Sequence, residues 1–157
     1  MAAERNEVQV EFDAFGKAAG MTKHSGSWYR TSDHVITVLN LQKSQYSLSY
    51  YVNVGWWLRA LGDAKFPKEQ ELHVRIRLDA LLPDRAEEVK ALLDLKRPVE
   101  NRSKRLRELL QSELRPILEH ADSVAGLRAL RRESRLKAAA VRGPAIPLLD
   151  QALASES

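Results

Sequence analysis

The segments HVITVLNLQK (residues 34–43) and LSYYVNVGWWL (residues 48–58) decide the fold of this chain. Both are rich in β-branched and aromatic residues, which favour the pleated surface of a sheet. A short polar break from Ser44 to Ser47 separates them. Because parallel strands need a crossover of a dozen or more residues, a connection this short predicts an antiparallel pair.

Two further segments with strand character flank this pair. Ser27 to Thr31 carries Trp28 and Tyr29 and is followed by a Ser32-Asp33 turn signal, and His73 to Leu78 alternates strictly between polar and apolar residues. Four such segments separated by turns are typical of a meander. We therefore predict a four-stranded antiparallel sheet over about residues 27–78.

Helical periodicity marks both sides of this sheet region. Apolar residues recur every three or four positions over Glu4 to Ala19, and Gly20 follows as a candidate C-cap. Similar periodicity runs from about residue 84 to residue 153, interrupted by prolines. The pattern predicts one α+β domain over residues 1–157, with an N-terminal helix, the sheet, and a helical C-terminal half packed on the sheet.

The composition excludes several classes of protein. The chain has 44% hydrophobic and 29% charged residues, as ordinary globular domains do, and no cysteine that could form a disulfide or a thiolate metal site. Its four histidines lack the spacing of known zinc motifs, so we expect neither a metal nor a cofactor. Without a secretory signal or a 20-residue apolar run, the chain reads as a cytoplasmic protein that does not enter membranes.

Alternation along the strands divides their side chains between two faces. Matching the polar sets across the predicted meander assembles a candidate ligand or partner face, bordered by Trp57 and His73, from Asn40, Gln42, Tyr51, Asn53, Arg75 and Arg77. Guanidinium groups beside carboxamides suit a planar anion or a phosphate, and Gly55 would allow close approach. Two alternatives stay open: a wet face that serves solubility alone, or a face covered by a helix.

The C-terminal half carries the excess of positive charge. Between Asp84 and Arg142 basic residues outnumber acidic ones, 15 to 10. A helix-turn-helix over residues 106–136 would present Arg128, Arg131, Arg132 and Arg135, which could contact nucleic acid. Acidic residues are interspersed along the same helices, however, and pairs of opposite charge three or four positions apart are typical of a solvated helix face.

Several short sequences together resemble a known family. They are Trp28-Tyr29-Arg30, the run from Val38 to Ser44, Tyr50-Tyr51-Val52-Asn53-Val54-Gly55, and the run from His73 to Leu78. Their order resembles a bacterial family catalogued as domain of unknown function forty-three zero four. The resemblance covers about residues 12–78 and, more loosely, residues 114–130. It implies the fold and no activity.

Three functions are compatible with these observations. The sequence favours a non-catalytic binding or interaction domain whose polar sheet face holds a protein partner or a small anionic ligand. Nucleic-acid binding through the basic helices is the alternative. Catalysis is the least favoured, since His73 and Tyr51 are the only titratable groups near the polar set that could act as a base.

Overall fold

The computed structural model of the chain describes residues 5–150, in which a six-stranded sheet is followed by short helices. The helices are α1 (Glu7–Ala18), α2 (Leu78–Leu81), α3 (Ala86–Leu93), α4 (Arg102–Leu109), α5 (Arg115–His120), α6 (Val124–Arg132) and α7 (Ile146–Leu149). The strands are β1 (Thr22–His24), β2 (Ser27–Thr31), β3 (Val35–Lys43), β4 (Tyr50–Leu58), β5 (Val74–Arg77) and β6 (Ala140–Val141).

The strands lie in chain order across the sheet, and every neighbouring pair is antiparallel. This confirms an α+β fold with an N-terminal helix and an antiparallel sheet followed by helices. The predicted count of four strands is wrong, because β1 and β6 add one strand at each edge.

Both additional strands are too short to have a sequence pattern of their own. β1 forms a hairpin with β2 through Ser25 and Gly26, which both have positive φ, at 49° and 84°. Consecutive positive φ values are those of the type I′ turn that matches the twist of a hairpin. β6 has only two residues and pairs with a strand more than sixty positions earlier, so no local signal predicts it.

Helix α1 begins and ends where its sequence supplies the caps. Asn6 and Gln9 exchange side-chain and backbone hydrogen bonds in a capping box, and Gly20 follows the helix with a φ of 75°. Gly16 is required inside the helix, since a Cβ there would lie 2.4 Å from the indole of Trp28. The predicted helix start at Glu4 lies outside the described residues.

The helices cover one face of the sheet. Alternate residues of β4 point into the main core, where Val54 and Trp56 are buried together with Leu106 and Leu114 of the helical half. The residues between them on β4 face the other way. The helical layer therefore leaves the opposite face of the sheet to be covered by loops or by solvent.

A continuous helical run over residues 102–120 contains a wider turn in its middle. A π-helical turn, Leu110–Leu114, precedes α5, and Pro116 is the second residue of that helix. Proline has no N–H to donate to the carbonyl of Ser112, and its ring clashes with that carbonyl in a regular helix, so the wider turn relieves the conflict. Helix α6 then crosses the end of α5 so closely that a Cβ at Gly126 would lie 1.9 Å from the oxygen of His120.

Candidate functional site

The strand register brings all the residues of the predicted ligand face onto the side of the sheet away from the helices. Gln42 lies opposite Tyr51, Asn40 opposite Asn53, and Asn53 opposite Arg77, while Arg75 lies one pair further along, opposite Gly55. Residues that are directly opposite across antiparallel strands point to the same face. The six side chains thus share one surface, which we call the polar face.

The connection between β4 and β5 covers part of this face. It packs Leu72 and Phe66 onto a small second core formed by Tyr29, Ile36 and Val38. A Cβ at Gly55 would lie 2.4 Å from the side chain of Leu72. The space beside this glycine therefore belongs to the connection and not to a ligand.

Arg75 holds this connection in place. Its guanidinium forms a bidentate ion pair with Glu69, with Nε to Oε1 at 2.9 Å and Nη2 to Oε2 at 3.2 Å. The hydroxyl of Tyr29 donates to the carbonyl of Pro67 at 2.9 Å, and Arg142 donates to the carbonyl of Gln70 at 2.7 Å. Arg75 is consequently paired with the connection, unlike Arg77 two positions further along β5.

A chain of carboxamides crosses the polar face. Asn53 is buried, and its Nδ2 donates to Oδ1 of Asn40 at 3.1 Å and to Oε1 of Gln42 at 3.0 Å. Asn40 in turn donates to the hydroxyl of Ser27 at 3.1 Å. Because the oxygen of Gln42 accepts this bond, its two N–H groups are directed away from Asn53.

Arg77 lies beside this chain, stacked on an aromatic ring. Its Cζ is 3.9 Å from the centroid of Tyr51, and the side chain is exposed at the end of β5. Within residues 5–150 Arg77 forms no ion pair. Stacking uses the face of the guanidinium and leaves the N–H groups at its edge available for a carboxylate or a phosphate. Gln42, Tyr51 and Arg77 thus form a group rich in hydrogen-bond donors, which we call the donor cluster.

A concave pocket of about 360 Å³ lies at the opposite end of the polar face. It is bounded on one side by the β1–β2 hairpin and on the other by residues 66–70 of the covering connection. His24 and Phe66 both line it, and their parallel rings have centroids 3.9 Å apart. Asn40 lines the pocket and also belongs to the carboxamide chain, so the two features are continuous.

His73 lies outside the uncovered part of the face and is not positioned as a base for it. The side chain is buried, its Nδ1 accepts the backbone N–H of Leu58 at 2.8 Å, and its ring packs at 4.2 Å from that of Trp57. Burial lowers the pKa of His73, and the nearby charge of Arg142 lowers it further. Tyr51 is six residues along β4 from the position opposite His73, or roughly 20 Å at the rise of a strand.

The arginines of the predicted nucleic-acid surface are mostly engaged with the chain itself. Arg128 is buried and donates to the carbonyl of Leu148 at 2.7 Å, and Arg131 pairs with Asp150 at 2.7 Å. Arg132 is exposed on α6, and Arg135 lies after the helix ends, beside a cleft bounded by residues 80–85. The structure does not gather these four side chains into one open basic surface.

Ion pairs with acidic side chains also neutralise basic residues on the other helices. Arg85 pairs with Glu88 and with Glu113, at 2.5 and 2.8 Å. Arg107 binds the buried carboxylate of Glu11 with two hydrogen bonds, at 2.9 and 3.1 Å. The interspersed acids noted in the sequence therefore act as partners for the basic residues.

Sequence reasoning missed the residues that make the polar face concave. His24 lies on an unpredicted strand, and Phe66 lies in a connection without periodicity. The Ser25-Gly26 dipeptide is the one local signal that could have revealed the β1–β2 hairpin. Within the described part of the chain there is no group of three or more potential metal ligands, and no helix is long and apolar enough to cross a membrane.

One family model, described as a domain of unknown function (DUF4304), matches residues 13–120. This confirms the resemblance seen in the strand sequences. The match runs from α1 to the end of α5, so it includes the polar face and stops before α6. No curated protein and no solved structure matches the chain.

Proposed function

We propose that this chain, which belongs to the DUF4304 family, is a non-catalytic binding domain that holds an anionic group on its polar face. The observation that carries the proposal is the donor cluster. Arg77 stacks on Tyr51, Tyr51 lies directly opposite Gln42 in the strand register, and Arg77 forms no ion pair with an acidic side chain within residues 5–150. A carboxylate or a phosphate would accept hydrogen bonds from this cluster.

The chemistry of the donor cluster favours an anion over a neutral ligand. A guanidinium presents paired N–H groups that match the two oxygens of a carboxylate, and charge-assisted hydrogen bonds are roughly twice as strong as neutral ones. The ring of Tyr51 restricts the guanidinium to one plane, which reduces the entropy lost on binding. These features support binding. The engagement of His73 by the backbone speaks against proton transfer at this face.

The role of Arg75 separates the two arginines of the predicted site. Because Arg75 is paired with Glu69, its removal would disturb the covering connection as well as any ligand. Arg77 can be replaced without breaking an ion pair among the described residues. Arg77→Gln is therefore the substitution that tests binding with the least effect on folding.

The proposal is tested by titrating ¹⁵N-labelled protein with sodium acetate and, separately, with inorganic phosphate at constant ionic strength. We expect saturable shifts of the Arg77 Nε–H and the Gln42 side-chain signals, which disappear in Arg77→Gln. Lys17→Gln, which removes an exposed cation from α1, is the matched control and should bind as the wild type does. Shifts that never saturate and spread over all basic side chains would contradict the proposal.

Nucleic-acid binding through Arg131, Arg132 and Arg135 stays the alternative prediction. It requires an affinity that falls steeply with salt, because bound phosphates release their counterions. The double variant Arg131→Glu/Arg132→Glu should then abolish retention on a DNA or RNA column while Arg77→Gln leaves it unchanged. The cytoplasmic location expected from the sequence also stays a prediction, and fractionation of the source cell tests it.

A further inference from the structure

The polar face carries a continuous row of side chains across five strands, exposed at His24 and Arg77 and buried at Ser27 and Asn53. Successive register pairs place His24, Ser27, Asn40, Asn53 and Arg77 side by side. Four spacings between neighbouring strands make this row about 19 Å long. An extended peptide of about six residues has the same length.

The hydrogen-bonding groups along the row include acceptors as well as donors. Both N–H groups of Asn53 are used by its neighbours, so its Oδ1 is left to accept. Gln42 has the reverse arrangement, because its oxygen is used and its two N–H groups are left to donate. Neither remaining group has another partner among residues 5–150. A carboxylate such as acetate has no hydrogen to offer Asn53, whereas a peptide main chain presents both N–H and C=O groups.

The two ends of the row differ in chemistry. At one end the donor cluster around Arg77 suits a carboxylate. At the other end the pocket of about 360 Å³ is lined by the rings of His24, Tyr29 and Phe66, and beside them by polar side chains such as Asn40 and Glu69. The three rings offer packing surface to an apolar or aromatic side chain that enters the pocket. A ligand that fills the row needs an acidic group and an apolar group several residues apart.

We propose that the polar face binds an extended segment of a partner protein lying across the strands. This inference rests on the proposed function and specifies the ligand of the same site. A carboxylate of the segment is held by Arg77 and Gln42, its main chain bonds to the carboxamide of Asn53, and one apolar side chain enters the pocket beside His24. The binding needs no covalent step and no cofactor.

The test uses a bead library of N-acetylated heptapeptides with free carboxyl ends, randomised at every position and panned against the full chain. We expect enriched peptides to share an acidic group and an apolar residue separated by three to five positions. Their dissociation constants, measured by fluorescence polarisation, should rise at least tenfold in Arg77→Gln. They should also rise at least threefold in His24→Ala, which alters only the pocket end, and stay unchanged in Lys17→Gln.

The outcomes distinguish this inference from the function on which it rests. If acetate or phosphate binds at Arg77 but no peptide is enriched, the site takes a small anion and the peptide inference is wrong. The inference is also wrong if the enriched peptides bind His24→Ala as tightly as they bind the wild type. If enriched peptides bind Arg77→Gln as tightly as the wild type, the peptide inference is wrong, and the proposed function fails with it only if acetate and phosphate also bind Arg77→Gln unchanged. Circular dichroism of each variant establishes that a lost affinity does not reflect lost folding.

Discussion

Replacing Arg102 by methionine should destabilise the protein far more than replacing any exposed arginine of the helical half. Arg102 is 5% exposed and donates to the carbonyls of Ala91 and Leu92, at 2.9 and 2.8 Å, and to the carbonyl of Arg97. It thereby binds carbonyls at the end of α3, of which that of Ala91 also accepts the backbone N–H of Asp94 at 3.3 Å. Methionine fills a similar volume and offers no donor.

The size of the effect follows from these contacts. A hydrogen bond to a charged group contributes about 1.5–3 kcal/mol, but the losses are not additive because water reaches part of the vacated space. We expect a decrease in the free energy of unfolding of about 3–5 kcal/mol. Arg102→Lys should lose roughly half as much, since a single ammonium cannot span all three carbonyls.

Urea denaturation followed by tryptophan fluorescence measures this difference. Arg105→Met is the matched control on the same helix, because Arg105 is 45% exposed and lies 3.5 Å from Glu88. A pair of this kind contributes at most about 1 kcal/mol. If the free energy of unfolding of Arg102→Met were no lower than that of Arg105→Met, the inference that the hydrogen bonds of Arg102 stabilise the fold would be wrong.

Three further predictions follow from the described contacts. Burial lowers the pKa of His73 below its ordinary value of 6.5 and favours the neutral ring. The stability that the neutral ring contributes should therefore be complete above pH 6.5 and fall as the pH is lowered below it. Urea titrations should show a decrease in the free energy of unfolding of up to about 1.4 kcal/mol per pH unit. Asn53→Asp should abolish acetate and phosphate binding in NMR titrations, because a carboxylate repels the anion and turns the neighbouring amide nitrogens inward. Gly126→Ala should cost about 2–4 kcal/mol in denaturant melts, since its Cβ would meet the oxygen of His120 at 1.9 Å.

Each of these predictions has a control within the chain. His73→Asn keeps an acceptor for the N–H of Leu58 but cannot be protonated, so it should remove this share of the pH dependence. Asn53→Gln retains an uncharged amide at this position. If Asn53→Gln lost acetate and phosphate binding as completely as Asn53→Asp, a change in packing and not the new negative charge would explain the loss. Gly143→Ala adds a methyl group to open space and should be neutral.

The parts of the fold that depend on local alternation could be predicted from the sequence. β3 and β4 combine β-branched and aromatic residues with a short connection, and this is enough to identify an antiparallel pair. The outermost strands escaped prediction because two or three residues cannot establish a period, and because β6 pairs with a strand more than sixty positions earlier in the chain.

The membership of the polar face was likewise determined by the sequence, since a period of two assigns Asn53 and Arg77 to one side of their strands whatever packs around them. Tertiary structure alone decided what these residues are available to do. The connection between β4 and β5 has no periodicity, yet its position pairs Glu69 with Arg75, fills the space beside Gly55 and leaves Arg77 exposed on Tyr51. The alternation of residues along each strand determines which face of the sheet is polar. The part of that face that is exposed to solvent depends instead on the position of a loop, and contacts between residues far apart in sequence set that position.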